Sequence, residues 1–154
     1  MKYLHNFRRV LFPKLSFMII AVDFDGTIVE HKYPQIGNEI PFAIESLLAL
    51  QKEGHQLILW TYRTGELLQE AVNFCSNNGL IFYAVNRNYP EEEFEHETVS
   101  RKIYADLYID DRNIGGLPDW GYIYNMISNS DNDQEKEIKP KNPVIRFLDQ
   151  IFGD

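Results

Sequence analysis

The chain is 154 residues long, 44% hydrophobic and 25% charged, a length and balance that suit one folded domain with a single core and exclude the disordered class. Its formal net charge of -8 sets the average surface against phosphate backbones and anionic lipid headgroups, which disfavours a nucleic-acid binder or a membrane-surface protein. The single cysteine, Cys75, leaves no intramolecular disulfide to form and points to a reducing, cytoplasmic setting.

In chain order, residues 1–17 come first as an extension carrying Lys2, Arg8, Arg9 and Lys14 and no acid. Pro13 and Lys14 interrupt the apolar run that a signal peptide would need, and Phe17 to Val22 is too short to span a membrane. Met18 stands directly before the first strand, which leaves two readings open: translation starting at Met18, or an amphipathic arm that packs on the domain or a partner. Ile19–Phe24 reads as a continuous apolar strand ending in carboxylates, as in a central parallel strand covered on both faces. Apolar residues at helical spacing predict a helix over Pro41–Glu53, with Pro41 in its first turn and Gly54 at its end.

Gln56–Trp60 is the second predicted strand, followed by a turn over Thr61–Gly65 and a helix over Glu66–Asn77 closed by Gly79. Short strands follow at Phe82–Asn86 and Leu107–Ile109, the latter running into Asp110 and Asp111. Asp119 suits the cap of a helix running through Ile127. One folded α/β domain is thus expected over 18–127, with a polar linker at 128–142 and a short helix in 143–154. Strands alternating with helices predict an α/β fold with a doubly wound parallel sheet in a three-layer α/β/α, Rossmann-like arrangement.

In an open parallel sheet, ligands bind beyond the carboxyl ends of the strands. There the sequence puts Asp23, Asp25, Gly26 and Thr27 after the first strand, Thr61 after the second, Asp110 and Asp111 after the fourth, and Lys102 shortly before it. Adjacent carboxylates raise one another's pKa unless a cation neutralises them. An oxygen-only donor set without histidine or cysteine favours magnesium over zinc. Taken singly, Asp25 fits a turn, Thr61 a helix cap, Lys102 a surface charge and Asp111 a partner for Arg112. Their order around two carboxylate pairs reverses that reading. The four histidines are scattered and receive no catalytic role, and Trp60, Tyr62 and Trp120 border the motifs where core or rim packing is the commoner use.

Asp23-Phe-Asp-Gly-Thr27, Thr61, Lys102 and Asp110-Asp111 resemble the four ordered motifs of the haloacid dehalogenase superfamily over roughly residues 18–127. The resemblance implies that Asp23 is a nucleophile forming an aspartyl-phosphate and a magnesium ligand, and that Asp25 is the general acid and base, its backbone carbonyl also on the metal. Thr27 would orient Asp25, and Thr61 would hold a phosphoryl oxygen. Lys102 would offset its charge, with Arg101 the candidate if the register slips. Asp110 and Asp111 would complete the metal site. Amides near Gly26 and Tyr62 would cradle phosphate, and Arg63 and Arg112 would contact substrate.

The short stretches 28–40 and 87–101 leave no room for a cap domain, so the chain resembles the capless class. An open site needs closure by the loop 30–37, by a large substrate or by homo-oligomerisation. The expected activity is magnesium-dependent hydrolysis of a small phosphorylated metabolite. The alternatives are a phosphotransferase or phosphomutase on the same fold, or a non-catalytic binding or regulatory protein.

Overall fold

A computed structural model describes residues 17–93, 95 and 100–129 of the chain. The expected N-terminal extension, apart from Phe17, and the linker and helix expected beyond residue 129 lie outside these described residues. The chain divides into one unit over 17–125 and another made of 1–16 with 126–154, of which only 126–129 are described.

The first unit is an α/β fold built on four parallel strands: β1 (Ile19–Val22), β2 (Gln56–Leu59), β3 (Ala84–Val85) and β4 (Leu107–Ile109). Helices α1 (Ala43–Lys52) and α2 (Gly65–Asn77) alternate with the first strands, and α3 (Trp120–Ser128) follows β4. The sheet order is β3-β2-β1-β4, so β1 is flanked on both sides. Ile20 pairs with both Leu57 and Leu107, and Val22 with both Leu59 and Ile109. The chain progresses away from β1 in one direction and then returns to its other side, placing a switch point between β1 and β4 where crossovers leave a crevice.

Alternation along the strands accounts for the core. Ala21 and Ile58 point to one face and gather with Ala84 and Ile103. Ile20, Val22, Leu57 and Leu59 point to the other and are equally buried, so both faces are covered. Each such large side chain contributes about 1.5–3 kcal/mol on burial. No helix among the described residues is long and apolar enough to cross a membrane.

Local chemistry sets the element ends. β1 stops at Val22, short of the expected Phe24, because the Phe24 carbonyl accepts bonds from the Thr27, Ile28 and Val29 amides and winds the chain into a turn. Pro41 lies outside α1, a correction to its expected place in the first turn: Phe42 takes a left-handed conformation (φ 66°) as the cap, and helical geometry begins after it. Both α1 and α2 close at the expected glycines with a two-bond pattern: Gly54 N–H reaches the Gln51 carbonyl and His55 N–H that of Leu50, and Gly79 N–H reaches the Ser76 carbonyl and Leu80 N–H that of Cys75. β3 begins two residues later than expected, and it stops at Val85, short of the expected Asn86, because Asn86 turns left-handed (φ 52°). Asp119 Oδ1 accepts the Tyr122 amide at 2.9 Å, the bond expected of a cap on α3.

Candidate functional site

Beyond the carboxyl ends of β1, β2 and β4 lies a cavity of about 480 Å³ lined by Asp23, Asp25, His31, Tyr33, Trp60, Thr61, Tyr62, Asp110 and Arg112. Asp23 continues the sheet by one bond, its amide donating to the Ile109 carbonyl at 3.0 Å, which holds the ends of β1 and β4 side by side. Carboxylate oxygens of Asp23, Asp110 and Asp111 consequently lie within 4.8 Å of one another.

Thr27, wholly buried, ties this group together. Its hydroxyl donates to Asp23 Oδ2 at 3.3 Å and accepts the Asp111 amide at 3.0 Å. The expected Thr27–Asp25 bond is therefore corrected: the carboxylate that Thr27 orients is Asp23. Below it, the Trp120 indole donates to the Thr27 carbonyl at 2.9 Å, so Trp120 supports the site from the core and does not border the cavity.

Three features show unmet negative charge. Burial, followed by the neighbouring Asp110 and Asp111 charges, pushes the Asp23 carboxyl up to about 6. Asp111 Oδ1 is buried and has no hydrogen-bond partner among the described residues. Asp110 Oδ1 accepts only a backbone amide, from Arg112 at 2.8 Å. These oxygen-only donors fit a hard divalent cation, and no sulfur or imidazole joins them.

Gly26 makes the close approach of Asp111 possible. It adopts φ +91°, and a Cβ there would lie 2.3 Å from Asp111 Oδ2. Gly26→Ala is expected to cost about 1–3 kcal/mol and to displace Asp111. Thermal unfolding with and without magnesium checks this, and a variant matching the parent in both conditions would show that Asp111 moves aside freely. The Gly26 amide itself is spent on the Val29 carbonyl at 2.7 Å, so it is not open to a phosphate as expected. The Tyr62 amide has no acceptor among the described residues.

Asp25 has a different environment. Arg63, fully buried, meets it as a two-pronged fork: Nε to Oδ2 and Nη2 to Oδ1, both 2.7 Å. The same guanidinium donates to the Pro34 carbonyl at 3.0 Å and the Gln35 carbonyl at 2.9 Å. It lies 5.1 Å from the centre of the Phe24 ring and 5.4 Å from that of Tyr33. Arg63 was expected to contact substrate; in this arrangement Asp25 and the loop take all but one of its N–H groups.

Thr61 lines the cavity as expected of a phosphoryl-holding hydroxyl, and its oxygen accepts the Arg63 amide at 3.3 Å. Lys102 is not brought to the acids. It is exposed, its ammonium sits 5.2 Å from the Tyr108 ring centre, and it forms no ion pair with Asp23. Arg101 borders a neighbouring cavity shared with Trp60, Thr61 and Tyr62, while Arg112 lines the acidic one.

Three contributors escaped sequence reasoning. His31 reaches the Asp25 carbonyl at 3.4 Å through Nδ1, and Tyr33 lines the wall; both lie in the loop already singled out as a means of closure. Asn86 Oδ1 accepts the Thr61 amide at 2.8 Å and fixes the loop after β2. An asparagine at the end of an apolar strand, tolerant of left-handed geometry, was the available signal.

The fold and site together define an α/β protein whose parallel sheet carries a cluster of carboxylates at its switch point. No protein-family model and no curated protein matches the chain. A solved structure described as that of a conserved protein from Bacteroides thetaiotaomicron is 63% identical, with a TM-score of 0.70 over 74% of this chain and 92% of that one. The chain belongs to the family of that conserved Bacteroides protein.

Proposed function

We propose that the protein is a magnesium-dependent phosphomonoester hydrolase with the doubly wound, three-layer fold of a capless haloacid dehalogenase. Its substrate is then a small phosphorylated metabolite of the cytoplasm. The observation that carries this reading is the convergence of Asp23, Asp110 and Asp111 within 4.8 Å beside the Thr61 hydroxyl.

Magnesium held by these three carboxylates would offset charge on the phosphoryl oxygens. An Asp23 oxygen attacks phosphorus, the ester oxygen leaves with a proton from Asp25, and an aspartyl-phosphate forms. Water then attacks that intermediate and gives a proton to Asp25, releasing phosphate and restoring the Asp23 carboxylate. The Thr61 hydroxyl and the free Tyr62 amide supply donors to phosphoryl oxygens. Arg112, which lines the cavity, takes the charge-offsetting part better than Lys102.

For Asp25 to carry a proton it must give up an Arg63 bond, since both of its oxygens are engaged. That engagement favours a second reading, a protein that binds magnesium and a phosphorylated ligand without turnover. The test is phosphate release from an aryl phosphate and a panel of phosphorylated metabolites, with magnesium or chelator, by the parent and Asp23→Asn. The expected outcome is magnesium-dependent release that falls by on the order of 10³-fold or more in the variant. Release that persists in chelator or in the variant sinks the proposal. Magnesium-dependent ligand binding without release supports the second reading.

A further inference from the structure

The acids and Thr61 account for the floor of the cavity but not for its walls. Three aromatic rings line it, Tyr33 from the loop 30–37 and Trp60 and Tyr62 from the segment after β2. Tyr62 is 87% exposed and Tyr33 44% exposed, so packing in the core does not explain either ring. They meet edge to face at 6.3 Å, and Tyr33 is seated on the buried Arg63 guanidinium. Trp60 is held from behind by Tyr108, edge to face at 5.3 Å. Trp60 and Tyr33 are therefore held from the protein side, which lowers the entropy they lose on binding, while Tyr62 meets the wall through its edge on Tyr33.

Apart from the acids and Thr61, the polar side-chain groups that line this space among the described residues are those of His31 and Arg112, the two tyrosine hydroxyls and the Trp60 indole N–H. A sugar leaving group needs several directed hydrogen bonds, whereas a flat ring needs apolar faces and edges. We propose that Tyr33, Trp60 and Tyr62 form a subsite for a planar aromatic ring in the leaving group of a phosphate monoester. This rests on the phosphohydrolase reading and narrows its substrate class. The rings take over the selective task for which the short stretches beside the motifs leave no inserted domain.

Calorimetric binding of phenylphosphonate and methylphosphonate, in magnesium, tests the subsite without turnover because neither carbon–phosphorus bond is hydrolysed. Phenylphosphonate is expected to bind on the order of tenfold more tightly, from stacking plus buried ring area. That ratio falls below about threefold in Tyr62→Ala and is retained in Tyr62→Phe, since the ring and not the hydroxyl makes the contact. Equal binding of the two phosphonates overturns the subsite while leaving the phosphoryl site standing. Discrimination without phosphate release in the metabolite assay keeps a ring subsite for a bound phosphorylated ligand and removes both the hydrolase reading and the leaving-group assignment. A higher kcat/KM for phenyl phosphate assigns a ring next to phosphorus, and one for a nucleoside 5′-monophosphate assigns a ring beyond a ribose. A dimer that sedimentation shows dissociating in Tyr62→Ala gives the rings to a second copy of the chain and overturns the proposal.

Discussion

Arg63→Met is expected to destabilise the domain by about 3–5 kcal/mol in urea unfolding, because it leaves the buried Asp25 carboxylate without its cation. The loss extends beyond one ion pair. The Pro34 and Gln35 carbonyls lose their donors and the Phe24 and Tyr33 faces lose the guanidinium between them. Arg63→Lys is expected to recover little, since an ammonium cannot span both Asp25 oxygens and two carbonyls at once. Combining Arg63→Met with Asp25→Asn should restore part of the loss by removing the stranded charge, so the double-mutant cycle reports coupling. A single Arg63→Met variant within about 1 kcal/mol of the parent would show that water, and not the fork, satisfies Asp25.

The second large effect concerns pH and magnesium together. The Asp23 carboxyl is raised from 3.8 to about 6, chiefly by burial and then by Asp110 and Asp111. Between those values the folded chain keeps a proton that the unfolded chain has released, so its stability falls as pH rises through that window. The full shift corresponds to ~3 kcal/mol at most, and solvent at the open cavity screens it to less. The proposed magnesium would bind the ionised acids, so its stabilisation is expected to be large above pH 6 and small below pH 5. At a hundredfold excess over its dissociation constant it restores about 2.7 kcal/mol. Thermal unfolding at pH 5 and pH 7.5, with magnesium or chelator, measures both. Asp23→Asn should flatten the pH dependence and stabilise the metal-free protein, which separates its loss of turnover from unfolding. An equal magnesium shift at both pH values would remove Asp23 from the ion-binding group.

The parallel sheet and the placement of acids at its switch point were legible because they follow from local patterns. Apolar runs of strand length end in carboxylates at Asp23 and Asp110, the first two helices carry closing glycines at Gly54 and Gly79, and the third carries its cap at Asp119. What escaped depended on where side chains turn after a strand ends. Arg63 reads in sequence like any arginine in a polar turn, yet the loop carbonyls of Pro34 and Gln35 draw it into the interior. Thr27 was assigned to the wrong carboxylate for a similar reason: the tight turn at Phe24 folds its hydroxyl back on Asp23. Lys102 sits in a stretch without regular structure, where order along the chain says little about which ring or acid a long side chain reaches.

The pairing of β1 with β4 has a mechanical consequence. β4 is a three-residue edge strand held on one side only, and its partner lies about ninety residues earlier in the chain. A cation shared by Asp23 and the Asp110–Asp111 pair, as proposed, would act as a clasp across that loop. It would close a long ring of chain with ionic bonds, much as a disulfide would. Loading the proposed clasp would fasten the seam between β1 and β4 at the same moment that it completed the site.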